Sequence, residues 1–180
     1  MKTMKIGVIA DTHVPDIFPE LPTRVLEVMN GVDIIFHAGD ISSLIVLQQL
    51  EPIAQTFAVY GERDPIEVKQ YLQDKQRLEF SGRAVGLVHG NRAWQGDVVR
   101  RVLHRFSRER RMNALYAHVL GEFEAVDVIV FGHSHEPYVR MHNSVMLFNP
   151  GSVVGKPGQP GTVGILEIGS NAIKGKIMAL

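Results

Sequence analysis

The stretch KIGVIADTH, residues 5–13, is the most informative segment of this chain. An apolar run over residues 6–10 ends directly at Asp11, and His13 follows two positions later. The run is shorter than the core of a signal peptide and stops at a charge, so it predicts a buried β-strand. We therefore expect the chain to begin with a core strand that carries an acid and an imidazole at its C-terminal end.

Beyond this strand, the first third of the chain alternates β-rich runs with amphipathic stretches. Strands are predicted over residues 6–10, 34–38 and 56–59, and helices within residues 19–29, 42–50 and 65–71. This βαβαβα order predicts a parallel sheet covered by helices.

The rest of the chain has a different pattern. Residues 77–80 and 83–88 flank a Ser81-Gly82 turn and predict a hairpin. Residues 97–120 have helical spacing, with a phase slip near Ser107 that predicts a kink. Further strands are predicted over residues 128–131, 138–142, 145–148, 162–168 and 172–178, and a surface loop over residues 155–161. Two β-layers with outer helices would accommodate these elements.

Composition limits the classes of function. The length of 180 residues, 45% of them hydrophobic, suits one domain, which we expect to span residues 1–180. The 19 basic and 19 acidic residues balance, so the whole molecule offers no field for nucleic acid or an anionic membrane. Cys is absent, so metal ligands would have to be His and carboxylates. No apolar stretch approaches the roughly 20 residues of a membrane span, and we expect a cytoplasmic protein.

Eight acidic and histidine residues share one property, since each lies at or shortly after the end of an apolar run. They are Asp11, His13, Asp40, Glu62, Asp64, His89, His133 and His135. A lone Asp in such a place usually caps a turn, and a lone His is usually surface or satisfied core. Carboxyl ends of parallel strands meet at one edge of a sheet, where ligands bind. The combination therefore predicts a metal site.

Six short motifs carry a resemblance to a known family. They are Asp11-Thr12-His13, His37-Ala38-Gly39-Asp40, Gly61-Glu62-Arg63-Asp64, Val88-His89-Gly90, Gly132-His133-Ser134-His135 and Asn149-Pro150-Gly151-Ser152. On these motifs the chain resembles the calcineurin-like metallophosphoesterases, especially their small bacterial and archaeal phosphodiesterase branch. The resemblance implies a four-layer α/β/β/α sandwich of two mixed sheets with outer helices.

The resemblance also implies a pair of metal ions and the residues that bind them. One ion would be bound by Asp11, His13, Asp40 and His135, and the other by Asp40, Glu62, His89 and His133, with Asp40 as the bridge. Two divalent ions about 3.5–4 Å apart can clamp phosphoryl oxygens and generate a hydroxide for in-line attack on phosphorus. We predict that Asp40 and His133 are essential for catalysis. Imidazole and carboxylate ligands suit Mn, Fe, Zn, Co or Ni, and manganese is the family's common choice.

Two positions depart from the family pattern. Glu62 stands where the family usually has Asn, which changes one metal ligand. Arg63 stands where larger relatives often have His and this branch has Cys, and a guanidinium cannot serve as a general acid. The segment from Asn149 to Ser152 matches the family but reads equally well as an ordinary Pro-Gly turn, so it is not included among the ligands.

The predicted function is metal-dependent hydrolysis of phosphodiester or phosphomonoester bonds in a small substrate. The alternative is a binding scaffold like the retromer subunit of this fold, which has Gly-Asp-Phe-Asp where this chain has Gly-Glu-Arg-Asp. A nuclease is disfavoured because the chain lacks an extra domain or a basic surface for a duplex. Six arginines between residues 100 and 111 could hold a phosphate backbone, but a solvated helix face is the preferred interpretation. A homo-oligomer is left open.

Overall fold

A computed structural model describes residues 3–91 and 107–180 of the chain. Its ten strands are β1 (Met4–Ile9), β2 (Ile34–Ala38), β3 (Gln55–Val59), β4 (Lys75–Phe80), β5 (Arg83–Val88), β6 (Val128–Val130), β7 (Tyr138–His142), β8 (Val145–Asn149), β9 (Thr162–Ile168) and β10 (Ile173–Ala179). The helices of the described residues are α1 (Thr23–Met29), α2 (Ile45–Leu50), α3 (Ile66–Tyr71) and α4 (Arg108–Gly121).

The strands form two mixed sheets of five strands each. The first has the order β10-β9-β1-β2-β3, in which β1, β2 and β3 are parallel and β9 is antiparallel to β1. The second has the order β4-β5-β6-β8-β7, in which β5, β6 and β8 are parallel and the two outer strands are antiparallel. Each sheet therefore has a parallel core whose strands end at a common edge.

Three apolar layers hold the architecture together. Between the sheets, β1 and β2 side chains such as Ile6 and Phe36 share one cluster with Leu87 and Phe148 from the second sheet. Outside the first sheet, α1 and α2 cover Ile9 and Ile35. Outside the second sheet, the buried face of α4 packs on residues of β5, β6 and β8. The predicted four-layer α/β/β/α sandwich is confirmed.

The helix predicted over residues 97–120 needs a correction. Ser107 has extended backbone angles, φ −134° and ψ 110°, and its side chain accepts a hydrogen bond from the N–H of Arg110. Ser107 is therefore the N-cap of α4, and the phase slip marks the start of a helix rather than a kink within one. Residues 97–106, including three of the six clustered arginines, lie outside the described residues.

The remaining strand predictions agree with the structure to within two residues at each end. Within residues 3–91 and 107–180, the structure has no helix that is both long and apolar enough to cross a membrane. The cytoplasmic location stays a prediction.

Candidate metal centre

The first two ligand-bearing loops run side by side beyond the ends of β1 and β2. The N–H of Asp11 donates to the carbonyl of Gly39 at 3.0 Å, and the N–H of His13 donates to the carbonyl of Asp40 at 3.2 Å. Asp11, His13 and Asp40 all have left-handed backbone angles, with φ between 48° and 54°. Non-glycine residues adopt this region rarely, and they do so mainly where surrounding contacts hold them. The two loops thus extend the parallel pairing of their strands into the site.

The side chains of these loops meet those of the second sheet in two groups. One group contains Asp11, His13 and His135, and the other contains Asp11, Asp40 and His89. Within each group the candidate ligand atoms lie within 4.8 Å of one another, which is a separation that one metal ion could span. Asp11 belongs to both groups, and its Oδ1 lies 3.3 Å from Nε2 of His135. Five of the seven predicted ligands are therefore brought together.

His133 lies beside these groups, with its ring centroid 5.2 Å from that of His89. Glu62, the seventh predicted ligand, has an exposed side chain and belongs to neither group. Its backbone carbonyl accepts a hydrogen bond from Lys69 Nζ at 2.8 Å. Among the described residues, Glu62 and Arg63 form no ion pair. The ligand role of Glu62 stays a prediction.

The orientation of the His89 ring is set by its second nitrogen. Nδ1 lies 2.6 Å from the carbonyl oxygen of Ala38, to which it donates a hydrogen bond. Nε2 then faces the site, 3.4 Å from Oδ2 of Asp40 and 3.9 Å from Oδ1 of Asp11. A backbone carbonyl that fixes the tautomer and leaves the other nitrogen facing inward is typical of a metal-binding His.

The centre contains buried acceptor atoms that have no hydrogen-bond partner among the described residues. Both carboxylate oxygens of Asp11, Nε2 of His13 and Nε2 of His89 find no hydrogen-bond partner within residues 3–91 and 107–180. Buried polar atoms are nearly always satisfied, because an unsatisfied one costs about 1–3 kcal/mol. Divalent cations bound by the two groups would satisfy these atoms, so these residues fit bound metal.

The charges at the centre suit cation binding as well. Burial lowers the pKa of His13 and lowers that of His133 to about 4, which keeps both rings neutral and able to donate a lone pair. Burial by itself would raise the pKa of Asp40, but His89 and the N–H of Arg63 bring it below its usual range. Burial would lower the pKa of His89, yet the carboxylates of Asp40 and Asp11 raise it to about 9. The two carboxylates thus favour a positive charge at the centre, which a proton on His89 or, in its place, a divalent cation would supply.

The segment from Asn149 to Ser152, which was not included among the ligands, joins ligand loops of both sheets. Nδ2 of the fully buried Asn149 donates to the carbonyl of Gly132 at 2.7 Å and to Oγ of Ser134 at 3.2 Å. Oγ of Ser152 donates to the carbonyl of Asp11 at 3.0 Å. The match of residues 149–152 to the family motif was the only signal in the sequence that this segment connects the two sets of loops.

Asp64 also holds loops rather than a metal. Its buried carboxylate accepts from the N–H of Ser42 at 2.7 Å and from the N–H of Gly61 at 2.6 Å. Beside it, the N–H of Arg63 donates to Oδ1 of Asp40 at 2.9 Å, while the Arg63 side chain is exposed. Asp64 therefore ties the loop after β3 to the loop after β2.

Gly61 permits the closest approach between these loops. A Cβ added at this position would lie 2.1 Å from Oδ1 of Asp40 and 2.4 Å from its backbone nitrogen. Neither distance is compatible with a real side chain, so the loop after β3 can reach Asp40 only with glycine there.

Comparisons with known proteins identify the family of this chain. The family model of the calcineurin-like phosphoesterase superfamily domain matches residues 4–171. A probable metallophosphoesterase of Methanocaldococcus jannaschii is 35% identical over 83% of this chain and 68% of its own length. A phosphodiesterase of the same organism is 27% identical over 91% of this chain and 93% of its own.

Solved structures show the same architecture. Vacuolar protein sorting 29 from Cryptosporidium parvum superposes with a TM-score of 0.71 and 17% identity, covering 99% of each chain. At this identity the likeness concerns the fold alone. Since the family model covers nearly the whole chain and Asp and His residues of its motifs meet where parallel strands of both sheets end, the chain belongs to the calcineurin-like phosphoesterase superfamily.

Proposed function

We propose that this protein is a metal-dependent hydrolase of phosphodiester or phosphomonoester bonds that works through two divalent ions. The observation that carries the proposal is the set of buried acceptor atoms on Asp11, His13 and His89 that no described residue satisfies. They lie where the parallel strands of both sheets end. So costly an arrangement of unpaired buried atoms has a physical rationale if a cation occupies it.

The first proposed ligand set contains one whole group of side chains, and the second contains two of the three residues of the other group. Asp11, His13, Asp40 and His135 would bind one ion, and Asp40, Glu62, His89 and His133 would bind the other. Asp40 suits a shared position, because the Arg63 N–H holds Oδ1 while Oδ2 faces His89. Asp11 belongs to both groups of the structure, so it would lie close to both ions.

When bound, two such ions would supply a nucleophile from water at neutral pH and offset the charge of the phosphoryl oxygens. The protein's own residues prepare the site for this chemistry. Ala38 fixes the His89 tautomer, and Asn149 and Ser152 keep the ligand loops of the two sheets in place. The His135 side chain remains 25% exposed, so a substrate can approach from its side.

Manganese is the proposed metal, although the ligand set also suits Fe, Zn, Co or Ni. A phosphodiester is the proposed substrate class, supported by the phosphodiesterase relative at 27% identity. We further propose that residues 1–180 act as one cytoplasmic domain on a small phosphate ester, without nucleic acid or membrane partners.

Metal analysis combined with an ester assay tests the proposal. After reconstitution with manganese, the purified protein should contain more than one equivalent of metal and hydrolyse bis(4-nitrophenyl) phosphate or 4-nitrophenyl phosphate. A chelator should abolish that activity, and added manganese should restore it. Less than half an equivalent of bound metal would contradict a two-metal site.

The alternative function is a protein-binding scaffold of the same fold. A scaffold has no need for neutral, inward-facing imidazoles, whereas this chain keeps six Asp and His residues of the two ligand sets. Metal binding without hydrolysis of either ester class would favour the scaffold.

A further inference from the structure

His37 is a fully buried histidine that belongs to neither proposed ligand set. It lies near the end of β2, three residues before Asp40, and pairs across the parallel sheet with Ile9 of β1. We propose that His37 is a positioning residue, whose neutral ring holds the two loops that carry Asp11, His13 and Asp40. This inference rests on the proposed metal site and adds a residue to it.

Both ring nitrogens of His37 have partners. Nδ1 accepts a hydrogen bond from the N–H of Gly39 at 3.2 Å, so the proton of a neutral ring is on Nε2. Nε2 lies 3.0 Å from Oγ1 of Thr12, to which it donates. Oγ1 in turn donates to the carbonyl of Ile41 at 3.4 Å. The chain of hydrogen bonds has one consistent direction.

The partners explain why this chain of bonds matters to the site. Thr12 lies between the candidate ligands Asp11 and His13, while Gly39 and Ile41 flank Asp40. One imidazole therefore connects the centre of the first ligand loop with both sides of the second. The left-handed backbone of Asp11, His13 and Asp40 needs such external contacts to persist.

His37 thus acts on the metal only through these loops. Residues that orient metal ligands typically change metal affinity by about 10–100-fold when they are replaced. A residue that serves only the core would change stability and leave the metal affinity of the folded protein as it was.

Two substitutions remove the same hydrogen bond from opposite ends. In His37→Asn the side-chain oxygen can still accept from Gly39, because it stands as many bonds from Cα as Nδ1 does, but it cannot reach Thr12. Thr12→Val removes the hydroxyl and keeps the shape, and Thr12→Ser restores the hydroxyl. His142→Asn is the matched control, since it removes a histidine that contacts the Tyr138 hydroxyl at 2.8 Å outside the site.

Manganese affinity is measured by calorimetry on metal-free protein, well below the melting temperature of each variant. His37→Asn and Thr12→Val should each weaken binding by about tenfold or more, and the double variant should be no worse than either one. Thr12→Ser and His142→Asn should stay within about twofold of the parent. If His37→Asn does not fold, the manganese affinities of Thr12→Val and Thr12→Ser test the inference by themselves.

A second measurement needs no metal. Nitrogen-15 spectra of the metal-free parent should show His37 as the neutral tautomer protonated at Nε2, and the Nδ1 tautomer would overturn the inference. Folded Thr12→Val or His37→Asn protein with parental manganese affinity would also overturn it while leaving the proposed function intact. A parent that binds no manganese would overturn both.

Discussion

Nε2 of His89 lies 3.4 Å from Oδ2 of Asp40, so a proposed ligand from the second sheet faces a proposed ligand from the first. The two residues follow β5 and β2, which belong to different sheets. Asp40 therefore lies where both sheets contribute side chains to the site.

Replacing this carboxylate should remove activity. We expect Asp40→Ala and His133→Ala to lower phosphodiesterase kcat/KM by more than about 100-fold, because direct ligands matter at least as much as the residues that orient them. Asp16→Ala is the control, since Asp16 is exposed and should leave activity unchanged. Initial rates with bis(4-nitrophenyl) phosphate measure the effect, and equal losses in all three variants would mean that the site lies elsewhere.

Departure of the alcohol should depend steeply on its acidity. The exposed guanidinium of Arg63 cannot donate a proton as an acid, and His37 cannot replace it. Burial lowers the pKa of His37 to about 3, and both of its nitrogens are already hydrogen-bonded. We expect nitrophenyl esters to react much faster than alkyl esters. Rates plotted against leaving-group pKa provide the measurement, and a flat plot would reveal another general acid.

Glu62 should raise the affinity for the second metal and lower the turnover. As a ligand it would bring one more negative charge than the Asn usual in the family, which strengthens metal binding but weakens the attraction for a phosphate anion. We expect Glu62→Asn to bind the second metal more weakly and to show equal or higher kcat at saturating metal. Metal titration and a nitrophenyl diester assay measure the two effects.

The exposed position of the Glu62 side chain makes this test decisive. Unchanged or tighter binding of the second metal by Glu62→Asn would show that Glu62 is not a productive ligand. The second ion would then depend on Asp40, His89 and His133.

Gly61→Ala should disturb the site although it adds only a methyl group. The added Cβ would meet Oδ1 of Asp40 at 2.1 Å, so the loop after β3 or the Asp40 carboxylate must move. Overpacking of this kind costs about 1–3 kcal/mol, and we expect lower stability together with weaker metal binding.

Gly121→Ala is the matched control for this substitution. Gly121 is the last residue of α4, and among the described residues no atom outside its own turn of helix lies within 4 Å of a Cβ added there. Thermal unfolding and metal titration of the two alanine variants should therefore differ clearly. A Gly61→Ala protein with parental metal affinity would contradict the close approach to Asp40.

The sequence by itself determined the strands, their alternation with helices and the residues at the strand ends. These features depend on local hydrophobic runs and on the side-chain period of a strand, both of which can be read from neighbouring residues. The motif resemblance added the two-sheet sandwich, which the structure confirms, and the ligand sets.

Only the tertiary structure decided how the polar side chains are used. Asp64 and Glu62 are two residues apart in one loop. The Asp64 carboxylate is buried and accepts hydrogen bonds from two backbone N–H groups, whereas the Glu62 side chain is exposed. Asn149 and Ser152 find their partners 15 to 141 residues away. Such hydrogen bonds depend on which loops the packed sheets bring together. A local sequence pattern does not show which residues far apart in the chain will meet.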